Sequence, residues 1–304
     1  MSVLTFTPAI LEDFSYDMGG HKFGRGTDYY ISSVDFGDAD QLNNDAPLPR
    51  GDGMRFGRDY RGGRTITFEG NILTNRRLPG DTDAAANALD VMQAAWDNEF
   101  LRLSPGMVVP LRMERYGRIR RVFGRPRRFA ATMGSVTRGR IPFTCDFQCV
   151  DHRFYDDAES SQNISIIPPE IGGLEGPLIG DIISSAGGEG GSSVQVYGTK
   201  PSWMAFRIYG PIIDPEIEFV NQWSFKLNLA IAYDQSVLVD PSPWSRSVRR
   251  VSDGANYSGA FTASSQRLSG MQLPPGEHEV LLKGNDVTGS ARVTVFWRNT
   301  YATA

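Results

Sequence analysis

The constraint that bears most on the fold is alternation. From Phe143 to Cys149 the chain reads FTCDFQC, so that Phe143, Cys145, Phe147 and Cys149 share one side of an extended segment. The stretch WSFKLNLAI does the same with Trp223, Phe225, Leu227, Leu229 and Ile231, and ARVTVFWRN with Ala291, Val293, Val295 and Trp297. In GGRTITFEGNI, Ile66, Phe68 and Ile72 alternate with Thr65, Thr67 and Glu69. A period of two is what a strand with one buried face requires. With 33 glycines and 18 prolines as turn residues between such segments, the chain is read as mainly β, built of many short strands.

One helix interrupts this pattern. Pro79-Gly80 closes the preceding segment, Asp81, Thr82 and Asp83 supply capping oxygens and favourable charge, and AAANALDVMQAAWDNEF follows, placing a helix near 82–98. Ala85, Leu89, Met92 and Trp96 form its apolar face and are expected to pack on a sheet. A length of 304 residues suggests two domains. The first is assigned to 1–157. Residues 158–200, rich in Pro, Gly and Ser, read as a connection with its flanks, and 201–304 as an antiparallel β-sandwich whose start could lie as early as 165.

Few classes of chemistry find support. The N-terminus MSVLTFTPAILEDF has neither a basic start nor a long apolar run, so neither a signal peptide nor a membrane span is expected. Cys145 and Cys149 sit four apart on one strand, about 13 Å by strand rise, which separates them too far for a disulfide or a shared metal and makes them core thiols of a chain from a reducing compartment. His21, His152 and His278 are isolated. The acidic loop 37–53 lacks EF-hand spacing, because Leu42 falls where a ligand should stand, and it is read as a solvated loop able to meet a partner. Glu216 and Glu218 share a strand face, but nothing selects them as a catalytic pair. No catalytic, cofactor or metal residues are assigned. Trp244, in PSPWSR, is the candidate exposed aromatic for a sugar-binding platform.

The charge distribution is uneven. Between Arg112 and Arg140 stand ten arginines and one acid, Glu114, a local charge of +9 that leaves −13 for the remainder of a chain whose net charge is −4. Such a cluster is what a nucleic-acid surface needs. However, only four of the 31 basic residues are lysine, so arginine is favoured throughout, and the run falls on alternating strands without a helix-turn-helix or RNA-binding signature. The reading preferred is a contact between copies of the chain, with Arg118, Arg120, Arg121, Arg125, Arg127 and Arg128 meeting a neighbour's carboxylates or reaching a channel.

The order of parts resembles the siphophage distal tail protein family. The resemblance rests on GRTITFEGNI, a lone helix ending near Trp96, the strand pair around RIRRVFGRPRRF, and a strand closing on CVDHRFYD with Asp151, Phe154 and Tyr155 at its corner. It continues through PSWMAFRIYGPIIDPEIEF, WSFKLNLAI, LPPGEHEVLL and VTVFWRN. The resemblance implies an N-terminal β-sandwich or barrel-like ring domain with one helix, then a galectin-like or carbohydrate-module-like β-sandwich. It further implies a virion protein made in the host cytoplasm and placed at the distal end of the tail, without enzymatic activity, cofactor or membrane insertion. Its partners would be a homo-hexameric ring, the tail tube protein, tail tip, hub or fibre proteins, and DNA in passage. The alternative implied is a tail module that binds host-surface carbohydrate.

Overall fold

The computed structural model describes residues 3, 6–74, 82–132, 140–166, 192–286 and 288–304. The helix-capping residue Asp81, the turn Pro79-Gly80, Arg138 and most of the expected connection lie outside the described residues. The chain forms two compact units, Met1–Asp157 with Tyr301–Ala304, and Ala158–Thr300.

The first unit opens with strands β1 (Ser15–Met18), β2 (His21–Gly24) and β3 (Tyr29–Asp35). Four two-residue strands follow: β4 (Gln41–Leu42), β5 (Ala46–Pro47), β6 (Met54–Arg55) and β7 (Tyr60–Arg61). Next come β8 (Thr65–Leu73), helices α1 (Thr82–Trp96) and α2 (Glu99–Leu103), and strands β9 (Val109–Arg115), β10 (Arg118–Ala131), β11 (Arg140–Cys149) and β12 (Phe154–Asp156). The main sheet runs β2-β1-β9-β10-β11-β8-β3, antiparallel at every pairing, with β12 beside β10.

Alternation produces the core directly. Ile66 and Phe68 of β8, and Phe143, Cys145, Phe147 and Cys149 of β11, are buried with Ala85, Leu89, Met92 and Trp96 of α1 in one cluster. Trp96 makes edge contacts with Phe23 and Phe68, at 6.0 and 6.3 Å between ring centroids, and its indole N–H donates to the Asp146 carbonyl at 3.2 Å. Satisfying that donor lets a large ring be buried whole. Gly70 is required by close approach: a Cβ there would come within 2.5 Å of the Tyr30 carbonyl oxygen and 2.8 Å of the Phe143 ring. The register of β3 against β8 shifts beside this glycine, between Ile31 and Ser33, and the Ser32 hydroxyl donates to the Glu69 carbonyl.

The second unit comprises β13 (Ser160–Ser165), β14 (Ser192–Val196), β15 (Ser202–Tyr209), β16 (Ile212–Phe219), β17 (Trp223–Lys226), β18 (Ala230–Ile231), β19 (Ser236–Asp240), β20 (Ser247–Arg250), β21 (Gln272–Leu273), β22 (Gly276–Asn285) and β23 (Arg292–Trp297). One antiparallel sheet is ordered β13-β23-β15-β19-β20, with β21 on β15; the other is β14-β22-β16-β17, with β18 on β16. Inward residues of both, among them Phe206, Ile208, Val293, Ile217, Phe219 and Leu282, form a single cluster, which makes the unit a β-sandwich.

Several sequence expectations need correction. The sandwich draws on the segment taken as a connection, since β13 and β14 each fill an edge of a sheet. The apolar pattern of 160–166 is too short to stand out beside its serines. The stretch WSFKLNLAI does not make one long strand: β17 ends at Lys226, where Leu227 N–H turns to the Pro215 carbonyl, and pairing resumes only at β18. A second, five-residue helix follows α1, capped by Asn98, whose side-chain oxygen accepts the Leu101 N–H at 3.1 Å.

Candidate functional site

The loop expected at 37–53 is instead the first limb of a β-arm. Gln41 and Leu42 pair with Arg61 and Tyr60, and Ala46 and Pro47 with Arg55 and Met54. One of the acids of that loop and one beyond it brace the arm: Asp45 Oδ1 accepts the Gly57 N–H at 2.9 Å, and Asp59 Oδ2 the Gln41 amide at 2.9 Å. Residues 37–61 include no buried side chain. The arm nevertheless carries Leu42, Met54 and Tyr60 exposed, and Phe56 is 81% exposed. An isolated two-stranded ribbon is marginally stable in water, and apolar side chains clustered on one are characteristic of a surface that a partner covers. Sequence reading missed this because strands of two residues show no periodicity; the signal present was the apolar set Leu42, Leu48, Met54, Phe56 and Tyr60 inside a polar segment.

The arginine run divides into two groups. Arg112, on the face of β9 opposite the core residues Leu111 and Met113, is nevertheless only 7% exposed. Its Nε and Nη2 donate to the two carboxylate oxygens of Asp157 at 2.9 Å each, and Nη1 donates to Asp17 at 2.8 Å and to the Ala9 carbonyl at 2.9 Å. Arg121, one strand away, also donates to Asp157, from Nη2 at 2.6 Å and Nε at 3.0 Å. Burial alone would raise the Asp157 carboxyl, but the hydrogen bonds and charges of the two arginines outweigh it and hold it below the usual carboxylate range. Its hydrogen bonds, those to Asp157 foremost, hold the Arg112 guanidinium above its ordinary value.

Arg120 lies on the opposite side of β10 and is 6% exposed, with its guanidinium 3.3 Å from the centre of the Tyr301 ring. Burial lowers its pKa, and its Nε and Nη1 have no hydrogen-bond partner among the described residues, so the aromatic face supplies much of its compensation. Tyr301 in turn donates its hydroxyl to Asp156 at 3.3 Å. Arg125 donates from Nε to the Met107 carbonyl at 2.5 Å and from Nη2 to the Ser104 carbonyl, closing the segment that follows α2. Arg120, Arg121 and Arg125 thus all make contacts inside their own chain. β10 has strands on both sides, and the sequence supplies arginine on both of its faces.

Arg118, Arg127 and Arg128 are exposed. Arg118 follows the two-residue turn Tyr116-Gly117, whose φ values of 54° and 70° fit the positive-φ hairpin type. Asp13 holds that turn by accepting the Tyr116 N–H at 2.6 Å. Nearby, a cleft of about 460 Å³ is lined by Phe14, Tyr30, Arg25 and Arg115. Arg115 stands 4.9 Å from the Phe36 ring centre.

The corner CVDHRFYD is internal structure. Asp151 accepts the Tyr155 hydroxyl and, at 3.2 Å, the Arg153 N–H, while Arg64 stacks 4.6 Å over Phe154 and donates to the His152 carbonyl. Burial raises the Asp151 carboxyl despite these donors. Burial likewise pushes both cysteine thiols far up. His21 lies 3.2 Å from the Met92 sulfur and His278 2.8 Å from the Pro274 carbonyl, so both are packing residues. Glu218 pairs with Lys283 across the sheet. Among the described residues no group of three His, Cys, Asp or Glu side chains is placed to hold a metal, and no helix is long and apolar enough to cross a membrane.

Trp244 is 7% exposed, which corrects its assignment as an exposed platform. The proline-rich turn around it is superficial, but the indole is tucked inward and anchors the turn.

No family model matches the sequence, and no curated protein does. Solved structures do. The chain is similar to the SPP1 Dit protein, described as a paradigm of the hub adsorption apparatus in Gram-positive infecting phages, at 12% identity and a TM-score of 0.59, covering 95% of this chain and 99% of that one. The fold is Dit-like. It is also similar to the phage P2 baseplate in its activated conformation with Ca, at 11% identity and a TM-score of 0.53, covering 93% and 97%, and with Sr, at 10% identity and a TM-score of 0.52 over the same shares. The match to the SPP1 Dit protein covers 95% of this chain, so it extends over both units.

Proposed function

We propose that this chain is a structural component of a phage tail, a distal tail protein that forms a six-fold ring joining the tail tube to the tail tip or baseplate and surrounding the path of DNA. The observation that carries the reading is the Dit-like match across both units, 95% of this chain against 99% of the SPP1 Dit protein. The β-arm supports it, because exposed Phe56, Met54 and Leu42 need a cover that one copy does not give them. In a ring, each copy offers its arm to the next, and the contact repeats until the ring closes. Arg118, Arg127 and Arg128 are the members of the run left to face neighbours or the channel, and the chain's acidic remainder supplies carboxylates for them. The role is architectural: the buried ionisable groups described above are spent on holding strands together. Electron microscopy of phage particles assembled with an epitope-tagged chain tests the reading. Label at the distal end of the tail is expected; label on the capsid, or none on intact particles, would overturn it.

A further inference from the structure

We propose that the arm of one copy docks as an added strand along the free edge of β3 in the next copy, seating Asp38, Asp40 and Leu42 in the cleft walled by Arg115, Arg25 and Phe14. The inference rests on the ring reading above and names the surface that receives the arm.

The receiving side is an unpaired strand edge. β3 closes one end of the main sheet and pairs only with β8. Residues 30–34 of β3, five in succession, all line the cleft of about 460 Å³. Successive strand residues face opposite ways, so a cleft that touches all five runs along the edge of the strand, where backbone N–H and C=O groups await a further strand. Across the cleft, the Arg25 N–H donates to the Phe14 carbonyl at 3.1 Å, which joins the two on one rim. Arg115 is half-buried among the rings of Phe14, Phe36 and Tyr116, at 5.9, 4.9 and 5.7 Å, and its Nε is buried without a hydrogen-bond partner among the described residues. It forms no ion pair among the described residues. A guanidinium fixed by aromatic faces and lacking a carboxylate is prepared to receive one.

The first limb of the arm supplies what this edge lacks. Asp38, Asp40 and Leu42 are exposed, and alternation puts them on one side of an extended segment: two carboxylates, then an apolar group. Residues 38–42 match residues 30–34 in length, about 16 Å each by strand rise. β4 pairs only with β7, so its other edge is open to a partner strand. The limb is not available to its own β3: Gln41 and Leu42 are held on Arg61 and Tyr60, and the Asp40 carbonyl accepts the Gly62 N–H at 2.8 Å. The limb that fits therefore comes from a neighbour. Strand addition of this kind takes its affinity from main-chain hydrogen bonds and its register from the side chains, and as a head-to-tail contact it repeats around a ring.

Chains carrying one new thiol each test the docking. Leu42→Cys and Ser33→Cys copies are co-expressed and treated with a short bismaleimide, to which buried Cys145 and Cys149 are closed. Linked pairs of copies are expected from the mixture and not from either variant alone. Asp38→Lys combined with Asp40→Lys should keep the parental melting temperature, because both side chains are exposed, and should raise the protein concentration needed for the six-copy species about tenfold or more, as read by mass photometry. A parent that stays a single copy would overturn the ring reading and the docking with it. With a parent that assembles, the docking alone is overturned if the mixture gives no more linked pairs than the single variants, or if the double lysine variant assembles at the parental concentration.

Discussion

Arg112 and Asp157 meet fork to fork, two N–H groups on two carboxylate oxygens at 2.9 Å each, and Arg121 reaches the same carboxylate from the next strand. Asp157 thereby ties the end of the first unit's main segment to β9 and β10. Its pKa is depressed in the fold, so its stabilising effect is fully present above the unfolded carboxylate value of about 4 and disappears as pH falls through the folded value. Asp157→Asn should cost about 3 kcal/mol at pH 7, since it leaves buried Arg112 with only Asp17 as counter-charge. Chemical denaturation at pH 7 and at pH 3 measures this; the gap between parent and variant should narrow at the lower pH.

Asp151 carries the opposite sign. Its carboxyl is raised by burial, so ionising it opposes folding as pH climbs from the unfolded carboxylate value through the folded one. Asp151→Asn removes that ionisation and keeps an oxygen for the Tyr155 hydroxyl. The difference in stability between variant and parent should move in the variant's favour between pH 4 and pH 7, as read by denaturant midpoints across that range.

Cys145 and Cys149 are both buried, and burial raises both thiols. Neither should react with a thiol reagent at pH 8 in the native protein, and both should react at once in denaturant. Any modification seen without denaturant, followed by absorbance, should be no faster than unfolding.

Trp96 fills the space between Phe23 and Phe68 and satisfies its N–H on Asp146. Trp96→Ala should cost about 3–5 kcal/mol through lost contact and a residual cavity. Trp96→Phe should cost less, retaining the ring while losing the hydrogen bond. Thermal melting monitored by circular dichroism distinguishes the two.

Much of the fold was legible wherever burial imposed a period. The alternation of FTCDFQC located β11 and its buried face, and Ala85, Leu89, Met92 and Trp96 located the packed face of α1. The arm was not legible, because its strands are two residues long and bury nothing. The arginines were legible as a cluster but not as individuals. A strand pattern tells which residues share a face, whereas Arg112 and Arg120 are buried by their partners, Asp157 and Tyr301, and both lie far away in sequence. Trp244 failed for a related reason: a proline-rich turn signals surface backbone, while the direction of its indole depends on the sandwich beneath it.

The arm bears the central claim. Met54→Ser combined with Phe56→Ser changes two exposed side chains that touch no core, so the melting temperature should stay within about a degree of the parent, as for surface substitutions worth less than about 0.5 kcal/mol. Mass photometry of the full chain, alone and beside the tail-tube protein proposed as its partner, measures assembly directly. The parent should give a six-copy species that the double variant fails to form. A parent that stays a single copy in both settings, or a double variant that assembles as well as the parent, would contradict the account.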